Sequence, residues 1–365
     1  MPTVELKNVS KKYGEITALS GVSLRIEDGE YACIIGPSGS GKSTLLKLIA
    51  GVIQPDSGEI YIDGRLVNDL SVRRRNIGIV MQDILLFPHM NLWDNVTYGP
   101  LVKTASYRRA ESTGMRILVE MGLTLRRDAL PSELSRGMQQ KVAIARALAA
   151  GARLLLLDEP FGSIDPRASK NLRVELRKLV KDLGLTVIHV THNQEEAMSV
   201  ADKIIVLRKG RVEQVGTPVE LYMKPKTPFI ARFIGGETNF LEANVTSVEK
   251  GYVHVQAREM EVQLPYRGSV TKGERVVLTI RPEYITISPF KPESGENVFE
   301  GTIERVYFLG PFLRIIVKVG GVRLIAKVPR MAVQPKVGNK VYVKILMAHL
   351  FNYPEEGLEK AIAYE

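Results

Sequence analysis

The residues of this chain that could do chemistry are concentrated in a glycine-rich stretch and an acidic one. The glycine-rich stretch is GPSGSGKST, which consists of Gly36, Pro37, Ser38, Gly39, Ser40, Gly41, Lys42, Ser43 and Thr44. Glycines allow main-chain N–H groups to close around a phosphate. The lysine can then bridge β- and γ-phosphate oxygens, and the Ser43 hydroxyl can coordinate Mg²⁺. The pattern predicts a loop that binds a nucleoside triphosphate, with a flexible Gly/Ser turn as the alternative.

The elements on either side of this loop support the phosphate-binding interpretation. The run YACII before Gly36 is short, apolar and partly β-branched, which favours a strand. After the loop, STLLKLIAG has apolar residues at helical spacing and ends at Gly51. A strand, loop and helix in this order also place the positive end of the helix dipole at the phosphates.

The acidic stretch is LLLLDEP, Leu154–Pro160, in which Asp158 and Glu159 follow four leucines. The leucines predict a buried parallel strand, and open α/β sheets bind ligands at the carboxyl ends of such strands. Asp158 is expected to hold Mg²⁺, directly or through a water, and Glu159 to polarise the water that attacks the γ-phosphate. The alternative, a helix-capping pair, does not explain the preceding leucines or the following proline.

A third stretch, LSRGMQQ at Leu134–Gln140, precedes the acidic pair. With this combination the chain resembles the ATP-binding cassette (ABC) family of ATPases. The resemblance implies that Ser135, Arg136, Gly137, Met138 and Gln139 cap the γ-phosphate bound by a second copy of the chain. Arg136 and Met138 depart from the usual LSGGQ, so the role of the family's glutamine is not carried over to Met138. Ser135 could also simply cap the following helix, and both interpretations can hold together.

The same resemblance assigns roles to residues that would be weak signals alone. Gln82 is implied to contact Mg²⁺ and the attacking water, and His192 to sense the γ-phosphate, whereas His189 is expected in the core. Tyr13 is implied to stack on adenine, a contact worth about 1–3 kcal/mol. The resemblance also implies that Asp165 belongs to a segment through which subunits communicate, although by itself it also suits a helix N-cap before Pro166.

The chain of 365 residues is long enough for two domains. The resemblance implies an α/β P-loop NTPase cassette over residues 1–235, with a RecA-like core and a helical subdomain at about 83–140. Residues 236–365 contain short alternating strands, namely YVHVQ, MEVQL, RVVLTI, LRIIVKV, VRLIAKV and KVYVKIL. They predict an all-β, oligonucleotide/oligosaccharide-binding (OB)-like barrel. This region resembles the regulatory TOBE tail of importer ATPases for maltose, polyamines, iron and sulfate.

The composition and the distribution of residue types limit the cellular location and the ligands that we expect. No apolar run reaches the length of a membrane span and the N-terminus lacks a secretory pattern, so we expect a cytoplasmic protein, peripheral on the inner face of the membrane. The single cysteine, Cys33, is expected to be a packing residue. The five histidines show no metal-ligand spacing. The formal charge of +10 is spread along the chain, and even the run Arg73–Arg75 is interpreted mostly as solvated surface.

The resemblance predicts the ATP-hydrolysing subunit of an ABC importer, with ATP and Mg²⁺ as ligands. The expected partners are a second copy of the chain, membrane permease subunits that dock at Phe87–Tyr98, and an external solute-binding protein. The alternative for Phe87, Leu92 and Trp93 is that they are core residues of the helical subdomain. The solute is expected to be a polyamine, an inorganic ion or a sugar. A regulatory partner on the tail would be compatible with this function. The alternative is a soluble ABC ATPase acting on nucleic acid or ribosomes, but we expect no nucleic-acid partner.

Overall fold

The computed structural model describes residues 2–249, 251–266, 268–292, 295–330 and 335–364. These residues cluster into two compact units, one extending to Leu221 and the other comprising Tyr222–Tyr364. The division falls earlier in the chain than the predicted boundary at 235/236. The segment between the two positions contains a helix whose residues belong to the second unit.

The first unit contains strands and helices in mixed order. In chain order they are β1 (Val4–Tyr13), β2 (Ile16–Ile26), β3 (Tyr31–Ile35), α1 (Lys42–Ala50), β4 (Ser57–Ile62), β5 (Arg65–Leu66), β6 (Ile77–Val80), α2 (Leu92–Thr104), α3 (Tyr107–Glu120), α4 (Arg136–Ala149), β7 (Leu154–Asp158), α5 (Pro166–Asp182), β8 (Thr186–Val190), α6 (Gln194–Val200), β9 (Lys203–Arg208) and β10 (Arg211–Gly216). A further helix, α7 (Pro218–Met223), crosses the division between the units.

The central sheet of this unit has the strand order β10-β9-β3-β8-β7-β6. All its pairings are parallel except that of β10 with β9. The register sets Val190 opposite both Ile34 and Asp158. The segments that follow β3, β7 and β8 therefore leave the sheet at one edge, and these are the segments that carry the phosphate loop, the acidic pair and His192.

The core that supports this edge is apolar because β3 and β8 are buried along their whole length. Their side chains pack with α1 and with a second, antiparallel sheet of order β2-β1-β4-β5. The strands YACII and LLLL and the helix after the phosphate loop form as predicted. The antiparallel sheet was not predicted, since its alternating, half-exposed strands lack the continuous apolar runs of the central sheet.

The predicted helical insertion contains α2, α3 and the first turn of α4. Asn91 caps α2 and Ser106 caps α3, in each case through a side-chain oxygen that accepts a main-chain N–H. Helices α2 and α4 pack together, and α4 then continues to Ala149 against the sheet. The helix that follows the LSRGMQQ stretch is thus shared between the insertion and the core.

The second unit is mostly β-structure. It comprises α8 (Pro228–Gly235), β11 (Asn239–Glu249), β12 (Tyr252–Ala257), β13 (Met260–Pro265), β14 (Arg275–Ile280), β15 (Ile285–Ser288), β16 (Val298–Leu309), β17 (Phe312–Val319), β18 (Val322–Pro329), β19 (Lys340–Ile345), β20 (His349–Asn352) and α9 (Leu358–Ile362).

Its strands form two antiparallel sheets, ordered β13-β12-β11-β14-β20 and β15-β19-β16-β17-β18. Buried apolar residues of both sheets form one continuous core. All six strands predicted from the alternating pattern form here. In the described parts of the chain, no helix is long and apolar enough to cross a membrane.

Candidate nucleotide-binding and hydrolysis site

The phosphate loop connects the end of β3 to the start of α1. A Cβ at Gly36 would lie 2.2 Å from the Leu207 carbonyl oxygen. Gly41 has φ +100°, and a Cβ there would lie 2.5 Å from the Ala18 carbonyl oxygen. Both positions therefore require glycine for the loop to pack against neighbouring main chain. In the described residues no side chain caps the N-terminus of α1, which leaves its first N–H groups for another acceptor.

Lys42 lies within the loop that it is predicted to serve. Its side chain is only 8% exposed, and Nζ donates hydrogen bonds to the carbonyl oxygens of Gly36 (2.9 Å) and Pro37 (2.8 Å). Burial lowers the pKa of the Lys42 ammonium, and the negative charges of Glu159 and Asp158 oppose this shift. The cation and the acidic pair thus share one electrostatic environment.

The remaining loop residues differ in exposure. Ser38, Gly39 and Ser43 are exposed, whereas Pro37 and Thr44 are half-buried. Ser40 is buried, and among the described residues its hydroxyl has no hydrogen-bond partner. Such a group is available to an oxygen from outside the protein, whether from a ligand or from ordered water.

The acidic pair lies at the carboxyl end of β7, as its position in the sequence predicts. Burial raises the pKa of Asp158, and the adjacent negative charge of Glu159 raises it further. The positive charges of Lys47 and Lys42 lower it. Glu159 has left-handed backbone geometry, with φ 45°, and its N–H donates to the Val190 carbonyl oxygen at 2.8 Å. A non-glycine residue in this region of φ is uncommon and carries strain, which functional sites often store.

The structure brings Glu159 and His192 together. The Glu159 Oε1 atom lies 3.0 Å from His192 Nδ1, and the His192 side chain is 66% exposed. The pair therefore combines a mostly covered carboxylate with an imidazole that is open to a ligand. The neighbouring His189 is completely buried, with Nδ1 3.3 Å from the Tyr31 hydroxyl and 3.7 Å from Cys33 Sγ. Cys33 is a buried packing residue, as expected.

Gln82 and Tyr13 lie on the surface. Gln82 is exposed just after β6. Tyr13 ends β1 with 47% of its side chain exposed, and the ammonium of Lys11 lies 5.9 Å from its ring centroid. An exposed ring of this kind can stack on a base without rearrangement of the core.

The LSRGMQQ stretch forms the start of α4. The Ser135 hydroxyl accepts the Met138 N–H, and Gln139 Nε2 donates to the carbonyl oxygens of Pro131 and Leu134. A Cβ at Gly137 would meet Ile164 of the segment after the acidic pair at 3.7 Å. Arg136 is exposed, and Met138 is half-buried. Among the described residues, no hydrogen bond or ion pair joins positions 135–139 to the loop at 36–44.

Asp165 begins α5 as an N-cap, because its side chain accepts the Ala168 N–H at 3.0 Å. The capping interpretations of Ser135 and Asp165 therefore both describe real contacts. They do not exclude a second role, since each residue is exposed at the surface.

The interpretation of the basic residues as mostly solvated surface is wrong at Arg75. Arg75, the last residue of the basic run, is buried rather than solvated. Its guanidinium donates to the carbonyl oxygens of Leu48 (2.7 Å) and Ile49 (2.8 Å) at the C-terminus of α1, and to that of Leu70. It thereby satisfies carbonyls at the end of the helix that begins with Lys42. Sequence reasoning also missed Thr191 and Glu196, which are buried next to His192.

The fold and this arrangement of residues define an ATP-binding cassette ATPase. The family model described as ABC transporter matches residues 19–162, and the model of the TOBE domain matches residues 278–351. Among solved structures, the dimeric ABC transporter cassette MJ0796 is 37% identical with a TM-score of 0.52. It covers 59% of this chain, and the match spans 98% of that cassette.

The full-length relatives are importer subunits. The spermidine/putrescine import ATP-binding protein PotA of Trichormus variabilis is 41% identical, over 87% of this chain and 84% of its own. The maltose/maltodextrin import ATP-binding protein MalK of Aliivibrio fischeri is 39% identical, over 96% of each chain. The sulfate/thiosulfate import protein CysA of Synechocystis is 37% identical, over 96% of this chain and 95% of its own.

This chain therefore belongs to the ABC transporter family, as an ATP-binding subunit of the importer type with a C-terminal TOBE domain. The predicted family, fold class and ATPase activity are confirmed. The alternative of a soluble ABC ATPase acting on nucleic acid or ribosomes is not supported by the relatives.

Proposed function

We propose that two copies of this chain enclose two ATP molecules and use their binding and hydrolysis to drive solute import. The observation that carries this proposal is the grouping of Lys42, Asp158, Glu159 and His192 at one edge of the sheet, with the LSRGMQQ stretch elsewhere on the same chain. A second copy would supply its Ser135–Gln139 stretch to the ATP bound by the first. The dimeric form of the related MJ0796 cassette supports this arrangement.

Different residues of this chain have different roles in the proposed hydrolysis of ATP. The phosphate loop holds the β- and γ-phosphates, with the Lys42 ammonium turning from the loop carbonyls to phosphate oxygens. Glu159 orients and polarises the attacking water, and His192, at 3.0 Å from Glu159, contacts the γ-phosphate from its exposed side. Tyr13 stacks on the adenine and contributes affinity. Asp165 and the residues at 135–139 complete the site in the partner copy.

The residues present fit a magnesium ion bound together with ATP. Ser43, Gln82 and Asp158 offer hydroxyl, amide and carboxylate oxygens, the hard ligands that Mg²⁺ prefers, and one carboxylate beside substrate phosphates is typical of such sites. The raised pKa of Asp158, caused by burial and by Glu159, indicates a carboxylate that lacks a strong cationic partner. When bound, magnesium neutralises charge on the β- and γ-phosphate oxygens.

The partner that couples hydrolysis to transport is proposed to be a membrane permease, which would place this subunit at the cytoplasmic face of the membrane. The helical insertion offers a surface for it, because Leu85, Tyr98 and Leu125 are exposed apolar side chains there. Phe87 is held in place by Tyr98, at 5.1 Å between ring centroids, and by the guanidinium of Arg146, at 5.0 Å from the Phe87 ring centroid. An ordered apolar surface of this kind suits a docking helix from the permease.

The solute is proposed to be selected outside this chain. Relatives named for polyamine, sulfate and maltose import are 41%, 37% and 39% identical, so similar ATP-binding subunits serve very different solutes. We propose that the permease and an external binding protein recognise the polyamine, inorganic ion or sugar. The TOBE domain then remains available for a regulatory partner.

The experiment that tests the shared site is sedimentation of Glu159→Gln with and without MgATP. The variant should bind ATP without hydrolysing it, so a monomer should become a dimer only when MgATP is present. Glu120→Gln, which changes an exposed glutamate on α3, serves as the matched control and should turn over ATP normally. A variant that binds MgATP yet stays monomeric at high concentration would contradict the shared site.

A further inference from the structure

The loop that carries His192 is anchored by a buried hydrogen bond between Thr191 and Glu196. The Thr191 hydroxyl donates to Glu196 Oε2 at 2.7 Å, and both residues are buried. Thr191 is fixed in turn to the sheet, because its N–H donates to the Ile34 carbonyl oxygen at 3.2 Å. His192 itself is exposed, so its position depends on its neighbours in the chain.

Two more hydrogen bonds close this loop around His192. The Thr191 hydroxyl accepts the Asn193 N–H at 3.0 Å, and the Asn193 side chain accepts the Glu196 N–H at 3.2 Å. Asn193 is thus the N-cap of α6. Since the helix already has this cap, capping does not explain why a carboxylate is buried at Glu196.

A buried carboxylate is costly unless charges or donors compensate it. Burial raises the pKa of Glu196, whereas the Thr191 hydroxyl and the charges of Arg173 and His192 lower it. His189 Nε2 lies 4.0 Å from Glu196 Oε2, but burial lowers the pKa of His189 to about 3, so this ring is neutral. The compensation for Glu196 therefore comes from the Thr191 hydroxyl and from the charges of Arg173 and His192.

We propose that Thr191 and Glu196 are positioning residues for His192, which they hold at the Glu159 carboxylate through the hydrogen-bonded loop between β8 and α6. The inference rests on the hydrolytic roles proposed above for Glu159 and His192. Neither Thr191 nor Glu196 contacts the substrate, because both side chains are buried behind the loop. Their effect is on the orientation of the imidazole, and hence on turnover rather than on ATP affinity.

Thr191→Val tests this directly, because valine keeps the shape of the side chain and removes the hydroxyl. In single-turnover ATP hydrolysis by the full chain, we expect a rate about 10- to 100-fold lower, since small misplacements of reacting groups have effects of this size. The KM for ATP should stay within about twofold, as the phosphate loop is untouched. Thr191→Ser, which restores the hydroxyl, should recover most of the rate.

Glu196→Met provides a second measurement if Thr191→Val folds poorly. Methionine keeps an unbranched side chain in the buried position but removes the acceptor of the Thr191 hydroxyl, so the rate should fall without loss of ATP binding. Glu195→Met is the matched control, because Glu195 is the exposed neighbour on the same helix turn, and it should leave the rate unchanged.

The decisive comparison uses the His192→Ala background. If Thr191 acts through His192, adding Thr191→Val to His192→Ala should slow hydrolysis no further. An equal additional loss in that background, or a normal rate for Thr191→Val alone, would overturn the inference while leaving the role of His192 intact. A normal rate for His192→Ala would instead contradict the proposed function of His192, and the positioning role would fall with it.

Discussion

At the scale of single residues, the site depends on charged groups whose environments differ although they are close together. Asp158 and Glu159 are adjacent, yet burial and mutual repulsion raise the pKa of Asp158, whereas Glu159 turns through a left-handed backbone geometry to face His192. Two neighbouring carboxylates can therefore take different tasks. One suits a metal ligand, and the other suits the group that activates water.

The roles proposed for Glu159 and Tyr13 predict separable defects. Glu159→Gln should lower kcat by about 10²–10⁴-fold, because a general base is lost. Tyr13→Ala should instead raise the KM for ATP with little change in kcat, since stacking on a base is worth about 1–3 kcal/mol of affinity. Steady-state ATPase kinetics of both variants measure kcat and KM separately and so test this difference. A large loss of kcat in Tyr13→Ala would show that the ring does more than bind adenine.

His189 predicts a dependence of stability on pH. Burial, with a smaller effect of the Arg173 charge, lowers the pKa of His189 from 6.5 to about 3. The unfolded chain then binds a proton below about pH 6.5 that the folded chain does not, so stability is lost as pH falls from about 6.5 towards 3. Replacement by Gln should reduce the slope of unfolding free energy with pH by up to about 1.4 kcal/mol per unit.

Urea unfolding of the wild type and His189→Gln between about pH 6 and 5 measures this difference, because most carboxylates stay ionised there. The comparison of the two proteins isolates His189 from the other titrating groups. Identical slopes would mean that the ring is protonated in the folded protein.

At the scale of elements, helix α1 links nucleotide binding to stability. Its N-terminus forms the phosphate loop and is left without a side-chain cap in the described residues, whereas its C-terminus is held by Gly51 and by the guanidinium of Arg75. A buried arginine that donates to carbonyl oxygens matches the negative end of the helix dipole. The N-terminus of α1 that lacks a side-chain cap is thus the end that is proposed to bind the phosphates.

Arg75→Met should therefore destabilise the first unit. The substitution leaves the carbonyl oxygens of Ile49 and Leu70 without the guanidinium donor, while that of Leu48 still accepts the Gly51 N–H. Each buried polar group that loses its partner costs about 1–3 kcal/mol. We expect a loss of at least about 2 kcal/mol in unfolding free energy, measured in urea. Arg73→Met is the control, because Arg73 is exposed two positions earlier and should change stability little. Equal stability of both variants would contradict the capping role.

Helix α4 is the other element with a terminus to which a role in function is proposed, and that terminus is its first turn. Ser135 caps the helix and is exposed, so its side chain can reach a second molecule as well as its own helix. Arg136 and Met138, the departures from the usual family sequence, lie on the same first turn, where Arg136 is exposed and Met138 is half-buried.

Ser135→Arg should abolish dimerisation by MgATP while leaving ATP binding to the monomer. The bulky cation replaces the hydroxyl that is proposed to face the partner's γ-phosphate. Sedimentation in the Glu159→Gln background measures the dimer, and Ser112→Arg on the exposed face of α3 is the control. A dimer that forms equally well with Arg at position 135 would exclude the shared-site geometry.

At the scale of the whole molecule, the ABC transporter match, with the proposed ATP site, and the TOBE match lie in different compact units. Helix α8 belongs to the second unit, where Phe229 stacks on Phe233 at 5.3 Å between ring centroids and Tyr364 packs edge-on against both. This arrangement leaves the first unit with its own core and with the residues that are proposed to act in catalysis. The predicted boundary after residue 235 would separate α8 from its partners.

A chain truncated after Met223 should consequently fold and bind ATP with unchanged affinity. A chain truncated after Gly235 should also bind ATP, but it should self-associate because Phe229, Phe233 and their apolar neighbours lose their cover. Binding of a fluorescent ATP analogue and size-exclusion chromatography test the two properties. Failure of the shorter chain to bind ATP would show that the first unit depends on the second.

Much of the fold could be predicted from the sequence because short local patterns of residues indicate its strands and helices. A pattern within ten residues or fewer predicts each of several elements: the strand YACII, the helix after the phosphate loop and the alternating strands of the second unit. The antiparallel sheet of β1, β2, β4 and β5 could not be predicted in this way, because its strands are half-exposed and β1 pairs with β4 across β2, β3 and α1. Strand pairing of that kind follows from packing rather than from any single stretch.

For the site, the sequence by itself determined the chemistry that each motif can offer, because glycine spacing, a lysine and a carboxylate pair act through their residue types. Only the tertiary structure decided which groups meet. The parallel register of β7 and β8 sets Glu159 against His192, and the burial of Arg75, Thr191 and Glu196 depends on chain segments that approach from elsewhere. Such contacts are properties of packed surfaces, and no local pattern of residues encodes them.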